Sequence, residues 1–171
     1  MNWLRGLSVS TMIALGVALL PVSTVAQQKT LKDQLVGVWT LVSIDNVLPD
    51  GKKQNLWGAN PKGILILDAS GRYAQTQMRS DIPKFKSNNR FKVTPEENNV
   101  AMQGSLANFG TWSVNEAEKT LILHREASLL PNDAGTDSKR VIISLTAEEL
   151  KATNPGPATG GRNEIVYRRA K

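Results

Sequence analysis

Residues Gly37–Ile44 have the sequence GVWTLVSI, which is the clearest indication of the fold in this chain. It is rich in β-branched residues, and its side chains alternate between two faces as they do along a β-strand. Trp39, Leu41 and Ser43 share one face, and the residues between them share the other face with Ile44. The pattern predicts an opening strand that turns one face toward a protein core.

Similar short β-like runs, separated by turn residues, follow through the rest of the chain. Asp68–Gly71 is the clearest of these turns, because Asp, Ser and Gly favour tight reversals and a β-like run lies on either side. Regular spacing of such runs is typical of sandwiches and barrels. The further predicted strands are Gly63–Leu67, Arg72–Arg79, Gly110–Val114, Thr120–Ala127, Lys139–Leu145, Leu150–Thr153 and Ile165–Arg169.

A single short helix interrupts the predicted strands. Thr94 is its N-cap, Pro95 its first residue, and Glu97 completes a capping box. Gly104 ends it. We therefore predict an all-β fold over residues 35–171, an antiparallel closed or nearly closed barrel of about eight strands with one short helix. Eight strands are enough to close a barrel around one small ligand.

The composition excludes several classes of site. The 171-residue chain has a net charge of +6, no cysteine and a single histidine, His124. Disulfides, thiolate metal sites and cysteine nucleophiles are therefore excluded, and zinc would lack the several His or Cys ligands it needs. We expect neither a metal ion nor a cofactor. Positive charge favours anionic partners, but no basic stripe follows the predicted helix, so nucleic acid is not an expected partner.

Residues 1–26 have the features of a cleaved export signal. Arg5 precedes the largely apolar stretch Leu7–Leu20, and Thr24-Val25-Ala26 has the small residues that a signal peptidase reads. The stretch is shorter than the ~20 apolar residues that span a bilayer, so we expect no transmembrane segment. Because the chain has no cysteine, a lipid-modified cysteine after the signal is not expected. We predict a monomeric periplasmic or secreted protein, in which polar residues 27–34 form a flexible arm.

Two features at the ends of the predicted barrel resemble the lipocalin and calycin pattern. They are Gly37-x-Trp39 on the opening strand and an arginine on the last strand. In such barrels the tryptophan closes one end and the arginine stacks over it. The resemblance assigns that role to Arg168 or Arg169, in a cation–π contact worth roughly 0.5–2 kcal/mol.

A longer set of motifs is similar to the bacterial lipocalin-like domain family over about residues 33–171. The resemblance implies a barrel and a small apolar ligand, but no known reaction. The chain departs from the family at Leu130 and Asp133-Ala134, where aromatic residues are more common, so stacking on a flat ligand is not implied. The matching residues are Thr94-Pro95-Glu96-Glu97-Asn98, Phe109-Gly110-Thr111-Trp112, His124, Pro131-Asn132, Gly135-Thr136 and Arg140.

Two polar residues on neighbouring predicted strands are candidates for chemistry or binding. His124 shares a strand face with Ile122 and Glu126; on an inner face its imidazole could bind a ligand or move a proton. The alternative is a hydrogen bond into the loop 128–137 that holds the barrel rim. Arg140 either pairs with Glu126 or points inward at a ligand carboxylate.

Further candidate ligand-binding residues come from the strand at Arg72–Arg79. Tyr73, Gln75 and Gln77 share one of its faces, which lies either in the barrel or in solvent. In the barrel they would suit a ligand with polar groups. Trp112, from the family motif, completes the candidate set together with His124 and Arg140.

The segment 79–92 is strongly basic. Its charge is +4, from five cations minus one acid. At a barrel mouth it would attract anionic amphiphiles or a membrane surface; the alternative is a solvated loop. The charged residues are Arg79, Lys84, Lys86, Arg90 and Lys92 against Asp81.

Three functions remain open at this point. The first is an exported barrel that binds or carries a small, mostly apolar or amphiphilic molecule, either neutral or anionic. The second is an enzyme that uses a lumenal His124 for acid–base chemistry such as isomerisation or hydration. The third is a filled barrel whose surface meets a protein partner.

Overall fold

Strand pairing closes the sheet on itself in the computed structural model, which describes residues 29–157 and 160–171. Consecutive strands pair antiparallel from β3 to β9, and β1 pairs with both β3 and β9. The strands are β1 Gly37–Val47, β2 Lys53–Gln54, β3 Lys62–Leu67, β4 Arg72–Met78, β5 Ser105–Asn115, β6 Thr120–Ser128, β7 Asp137–Leu145, β8 Glu149–Asn154 and β9 Arg162–Arg169. The two-residue β2 adds to β1 outside the ring of eight. The predicted eight-stranded antiparallel barrel is confirmed.

Within the described residues, two α-helices accompany the barrel. Helix α2, Pro95–Gln103, has the predicted Thr94 N-cap and a capping box with Glu97, and Gly104 is its C-cap. Helix α1, Leu31–Leu35, falls largely within the segment predicted to be a flexible arm, and that prediction misses it. None of the helices in the described ranges is long and apolar enough to cross a membrane. The predicted export signal, residues 1–26, lies outside the described residues.

Helix α1 forms because its short sequence caps its own N-terminus and buries one leucine. Thr30 and Asp33 cap each other's backbone N–H groups, which offsets the cost of starting so short a helix. Leu35 is fully buried and joins the barrel core. Burial of this one leucine anchors residues that look polar in the sequence.

A β-bulge changes which side chains of β1 face inward. Trp39 and Leu41 are buried as predicted, but the register shifts between Leu41 and Ser43. After the shift Ile44 and Asn46 are buried, as is Val47 at the end of the strand. The predicted strict alternation is therefore wrong beyond Leu41, because a bulge inserts one extra residue into the strand.

The two ends of the barrel differ in their connections. We call the end that carries α1 the closed end, and its strands are joined by the short turns 68–71, 116–119 and 146–148. We call the opposite end the open end. Its longer connections are 48–61, which includes β2, 79–104, which includes α2, 129–136, with a single 3-10 turn at Pro131–Asp133, and 155–161.

Candidate functional site

Trp39 and Arg169 seal the closed end. The Arg169 guanidinium carbon lies 4.1 Å from the centroid of the fully buried Trp39 ring. Its nitrogens donate to the backbone carbonyls of Gln34 at 2.6 Å and Ala147 at 2.7 Å, among others. Gly37 has a φ of +139°, and a Cβ there would collide with the Arg169 guanidinium. The stacking arginine is therefore Arg169.

Arg168 and Trp112 do not occupy the positions proposed for a stacking or ligand-binding residue. The Arg168 side chain is exposed on the outer face. Trp112 is buried at the closed end, where its indole Nε1 donates to the Asp68 carbonyl at 2.8 Å. Lys32 of α1 lies 5.7 Å from its ring centroid. Trp112 packs the core and does not line the cavity described next.

The open half of the barrel contains a cavity of about 490 Å³. Its deeper wall is mostly polar, whereas much of its rim is apolar. The rim includes Trp57, Met102, Leu129, Leu130 and Pro157 from the open-end connections. The polar wall includes Gln75 and Gln77 from β4, Asn108 from β5, Arg125 from β6, and Ser138 and Arg140 from β7.

The polar face of β4 points into the barrel. Tyr73, Gln75 and Gln77 are each 2–3% exposed. The Tyr73 hydroxyl donates to Asn108 Oδ1 at 2.9 Å, and Gln77 Nε2 donates to the Tyr167 hydroxyl at 3.0 Å. The Nε2 of the remaining residue, Gln75, has no hydrogen-bond partner among the described residues.

Arg140 is a buried cation that has no counter-charge among the described residues. It is 9% exposed, and its Nη1 donates to Ser138 Oγ and to the Lys139 carbonyl at 3.0 Å. Burial lowers the pKa of its guanidinium, and the ionisable groups that act on it are Tyr167, Arg125 and Tyr73. None of these is a carboxylate.

Both tyrosines near Arg140 are neutral at ordinary pH. Burial raises the pKa of Tyr73 to about 12. Burial also raises the pKa of Tyr167. Neither phenol therefore supplies the negative charge that Arg140 lacks.

The predicted pair between Arg140 and Glu126 does not form. Glu126 lies on the outer face of β6, where it makes a two-pronged ion pair with Arg72; one of the two contacts measures 2.9 Å. The side chains of residues 124 and 126 alternate outward, and Arg140 alternates inward with Ser138 and Ile142. The pair is excluded because the two residues lie on opposite faces of the sheet.

Arg125 is a second inward-facing arginine, and no motif in the sequence marked it as a candidate. Unlike Arg140 it is neutralised, since its Nη1 lies 3.1 Å from Asp133 Oδ1 and donates to Thr136 Oγ1 at 2.9 Å. These contacts hold the loop with the 3-10 turn against the cavity. The alternation of side chains along β6 could have indicated its inward position, because Arg125 shares a strand face with the apolar Leu121 and Leu123.

His124 faces outward and does not line the cavity. Its side chain is 50% exposed, and its Nδ1 lies 2.8 Å from Asp137 Oδ1. This contact ties β6 to the end of the 128–137 loop, which was the alternative to a lumenal role. The prediction of a lumenal, ligand-binding His124 is wrong. No cluster of three or more acidic or histidine side chains suited to a metal ion occurs in the described ranges.

The comparison with family models agrees with this architecture. The family model described as a lipocalin-like domain matches residues 36–165, from the residue before β1 into β9. Among solved structures, a de novo designed fluorescence-activating beta barrel is similar, with 10% identity and a TM-score of 0.42, over 84% of this chain and 100% of that chain. No curated protein sequence matches the chain.

Proposed function

Because this chain belongs to the lipocalin-like domain family, we propose that it binds a small anionic amphiphile in the open half of its barrel. The observation that carries the proposal is the buried Arg140, whose guanidinium has no carboxylate partner in the part of the chain that the structure describes. The proposal names a negatively charged group as the ligand's head and an apolar group as its tail.

An unpaired buried charge is costly to a folded protein. Taking an ion out of water costs several kcal/mol after relaxation, and an opposite charge with good geometry offsets much of this cost. A ligand carboxylate or similar anion would supply that charge, and a guanidinium can bind it through two parallel hydrogen bonds. The desolvation cost of Arg140 lowers the stability of the ligand-free protein, and a bound anion would offset that cost and so strengthen ligand binding.

The groups around Arg140 suit an acceptor-rich head. Ser138 lies beside the guanidinium, and Gln75 Nε2 is a buried donor without a partner among the described residues. A buried donor left unsatisfied costs roughly 1–3 kcal/mol, which a ligand oxygen would recover. These groups favour a head that accepts hydrogen bonds over a purely apolar ligand.

The arrangement of the lining favours one orientation of the ligand. Gln75, Gln77 and Arg140 lie on strands in the deeper wall, while the apolar Trp57, Met102 and Leu130 are among the residues of the rim. An amphiphile would therefore bind head first, with its tail toward the mouth. The volume of about 490 Å³ is within the range of small-molecule sites and favours binding over a filled barrel.

The proposal is tested by comparing two ligands that differ only in charge. Dodecanoate and dodecan-1-ol are titrated into detergent-free protein, with binding followed by calorimetry. We expect tighter binding of dodecanoate, and a loss of at least roughly 30-fold in its affinity in Arg140→Gln. Arg140→Lys keeps the charge but not the paired donors, so it should fall between the two.

The matched control is Arg168→Gln, which removes an exposed arginine from the outer face. It should leave the affinity for dodecanoate unchanged. Equal affinity for the acid and the alcohol, or undiminished dodecanoate binding in Arg140→Gln, would contradict an anionic ligand held by Arg140. The absence of binding to either molecule would contradict the proposed ligand class as a whole.

We also propose that the protein is exported and works in the periplasm or outside the cell. The support is the sequence of residues 1–26, with its charged start, apolar centre and small residues before Gln27. N-terminal sequencing of the periplasmic and secreted fractions should give Gln27 as the first residue. Recovery of the protein in the cytoplasm with Met1 retained would contradict export.

A further inference from the structure

Large apolar side chains that are exposed to solvent concentrate at the open end. Phe91 is 90% exposed, and five more residues in the open-end connections are between 40% and 43% exposed. None of the exposed large apolar residues in the described ranges lies in α1 or in the closed-end turns. Such one-sided exposure is typical of an interaction surface. The five residues are Leu56, Val100, Met102, Leu129 and Leu130.

Phe91 is held in this exposed position by a built turn. Its backbone N–H donates to Asn89 Oδ1 at 2.9 Å, and the Lys92 N–H donates to the Asn89 carbonyl at 2.9 Å. Earlier in the same connection, the Lys86 N–H donates to Glu97 Oε1 at 2.9 Å, and Glu97 also caps α2. The ring is therefore presented by an ordered segment attached to the helix.

Cations surround the exposed ring. Arg90 and Lys92 flank Phe91 in the sequence, and the Arg90 guanidinium carbon lies 5.8 Å from its ring centroid. Within the basic segment 79–92, Arg79 is the only cation that forms an ion pair with a carboxylate of the described residues, Asp81. The segment thus presents unneutralised positive charge together with an apolar ring.

We infer that the open end docks on the surface of a membrane that contains anionic phospholipids. We call the contact region the docking surface, and define it as Arg90, Phe91 and Lys92 with the apolar rim residues Leu129 and Leu130. Aromatic rings settle at the membrane–water interface, and basic residues near the surface are attracted by anionic headgroups. A soluble polyanion would use the cations but would leave the apolar side chains in water.

This placement gives the cavity a route to the bilayer. Leu129 and Leu130 belong both to the docking surface and to the lining of the cavity. In the docked protein the mouth of the barrel faces the lipid. An apolar tail could then pass between bilayer and barrel with less exposure to water.

The test is co-sedimentation of the full protein with two kinds of vesicle, phosphatidylcholine alone and phosphatidylcholine mixed with phosphatidylglycerol. We expect sedimentation with the mixed vesicles and little with phosphatidylcholine alone. Phe91→Ser should weaken the partitioning roughly tenfold or more, since it removes a large apolar group from the contact. Lys92→Gln should weaken it less, and added salt should reduce it.

Matched controls separate the docking surface from general surface chemistry. Ile143→Ser removes a 64% exposed apolar residue from the outer wall of β7, and Arg168→Gln removes an exposed cation near the closed end. Both should sediment like the unmodified protein. Equal sedimentation with the two vesicles, or Phe91→Ser behaving like Ile143→Ser, would overturn the inference.

Two further measurements keep the outcome specific. If polyglutamate displaced the protein from the vesicles and Phe91→Ser had no effect on sedimentation, the partner would be an acidic polypeptide. That result would overturn membrane docking. Dodecanoate affinity, measured without vesicles, should be retained in Phe91→Ser. A variant that loses vesicles but keeps dodecanoate is folded, and its result bears on docking alone.

Discussion

The closed and open ends of this barrel each contain an arginine, and the two arginines are treated in opposite ways. The protein surrounds Arg169 with an aromatic ring and backbone carbonyls, so all of its partners are supplied internally. Arg140 receives one hydroxyl and one carbonyl, and it faces a cavity. The comparison teaches that residue type does not distinguish a structural arginine from a ligand-binding one. The distinction lies in whether the fold completes its set of partners.

The same contrast extends to the interior as a whole. The closed end is packed with large apolar side chains such as Trp39, Leu35 and Trp112. The open half places amides, hydroxyls and a guanidinium around a cavity. Proteins commonly hold destabilising functional groups in place with stability gained elsewhere. We expect the closed end to be that source of stability here.

The largest expected effect tests this division directly. Trp39→Ala should lower the free energy of unfolding by about 3–5 kcal/mol, because it empties a fully buried site. Trp57→Ala, at the cavity rim, removes a partly buried side chain that packs against the core and should cost less, about 1–2 kcal/mol. Urea denaturation of both variants measures the difference. Equal losses would show that stability does not reside at the closed end.

A second pair of variants should change stability in opposite directions. Arg169→Gln loses the cation–π contact and hydrogen bonds to backbone carbonyls, and should cost about 2–3 kcal/mol. Arg140→Met removes an unpaired buried charge and should stabilise the ligand-free protein by roughly 1–3 kcal/mol. Thermal unfolding without ligand checks the signs. Destabilisation by Arg140→Met would mean that Arg140 has a structural role.

The interior between the two ends should make stability depend on alkaline pH. The pKa of Tyr73 is raised by burial from 10.0 to about 12, so the folded state favours the neutral phenol. This contribution is complete below pH 10 and is lost as the pH rises toward 12, by about 2–3 kcal/mol. Denaturation at pH 9 and pH 12 measures the loss. Tyr73→Phe should show a smaller drop, and an unchanged drop would refute the assignment.

The smallest effect is expected on the outer wall. His124→Ala removes a half-exposed contact with Asp137 and should change stability by less than about 1 kcal/mol. Its affinity for dodecanoate should equal that of the unmodified protein. A marked loss of ligand affinity would show that the wall communicates with the cavity, and would weaken the contrast between inner and outer faces.

The closed end was more predictable than the open end for a physical reason. Gly37, Trp39 and a terminal arginine form one packing arrangement, in which the arginine stacks on the tryptophan beside the glycine. All three residues can be recognised in the sequence motif. Alternation along a strand shows which residues share a face but not which face turns inward. On β6 the leucines at 121 and 123 indicated the inner face, which carries Arg125 and not His124. On β4 the polar Gln75 and Gln77 resembled a solvated face, although they lie inside.

Two other features could not be seen in the sequence. Helix α1 has five residues, too few for a helical period to register. The bulge in β1 leaves no composition signal, because an extra residue in a strand looks like any other residue. The helix also needs the burial of Leu35 against the barrel, and the bulge needs the pairing of β1 with β9.

That extra residue in β1 also determines which charges enter the cavity. Under strict alternation Asp45 would follow Trp39, Leu41 and Ser43 onto the inner face. The shift turns it outward instead, where its carboxylate lies 3.8 Å from Lys53 Nζ. Asp133 and Asp137 also line the cavity, but they are paired with Arg125 and His124. An inward Asp45 would add a further carboxylate to the same interior and compete for Arg140 with any anion arriving from outside. The bulge therefore keeps this carboxylate out of the interior that Arg140 faces, whereas a β1 of the same length without the bulge would turn it inward.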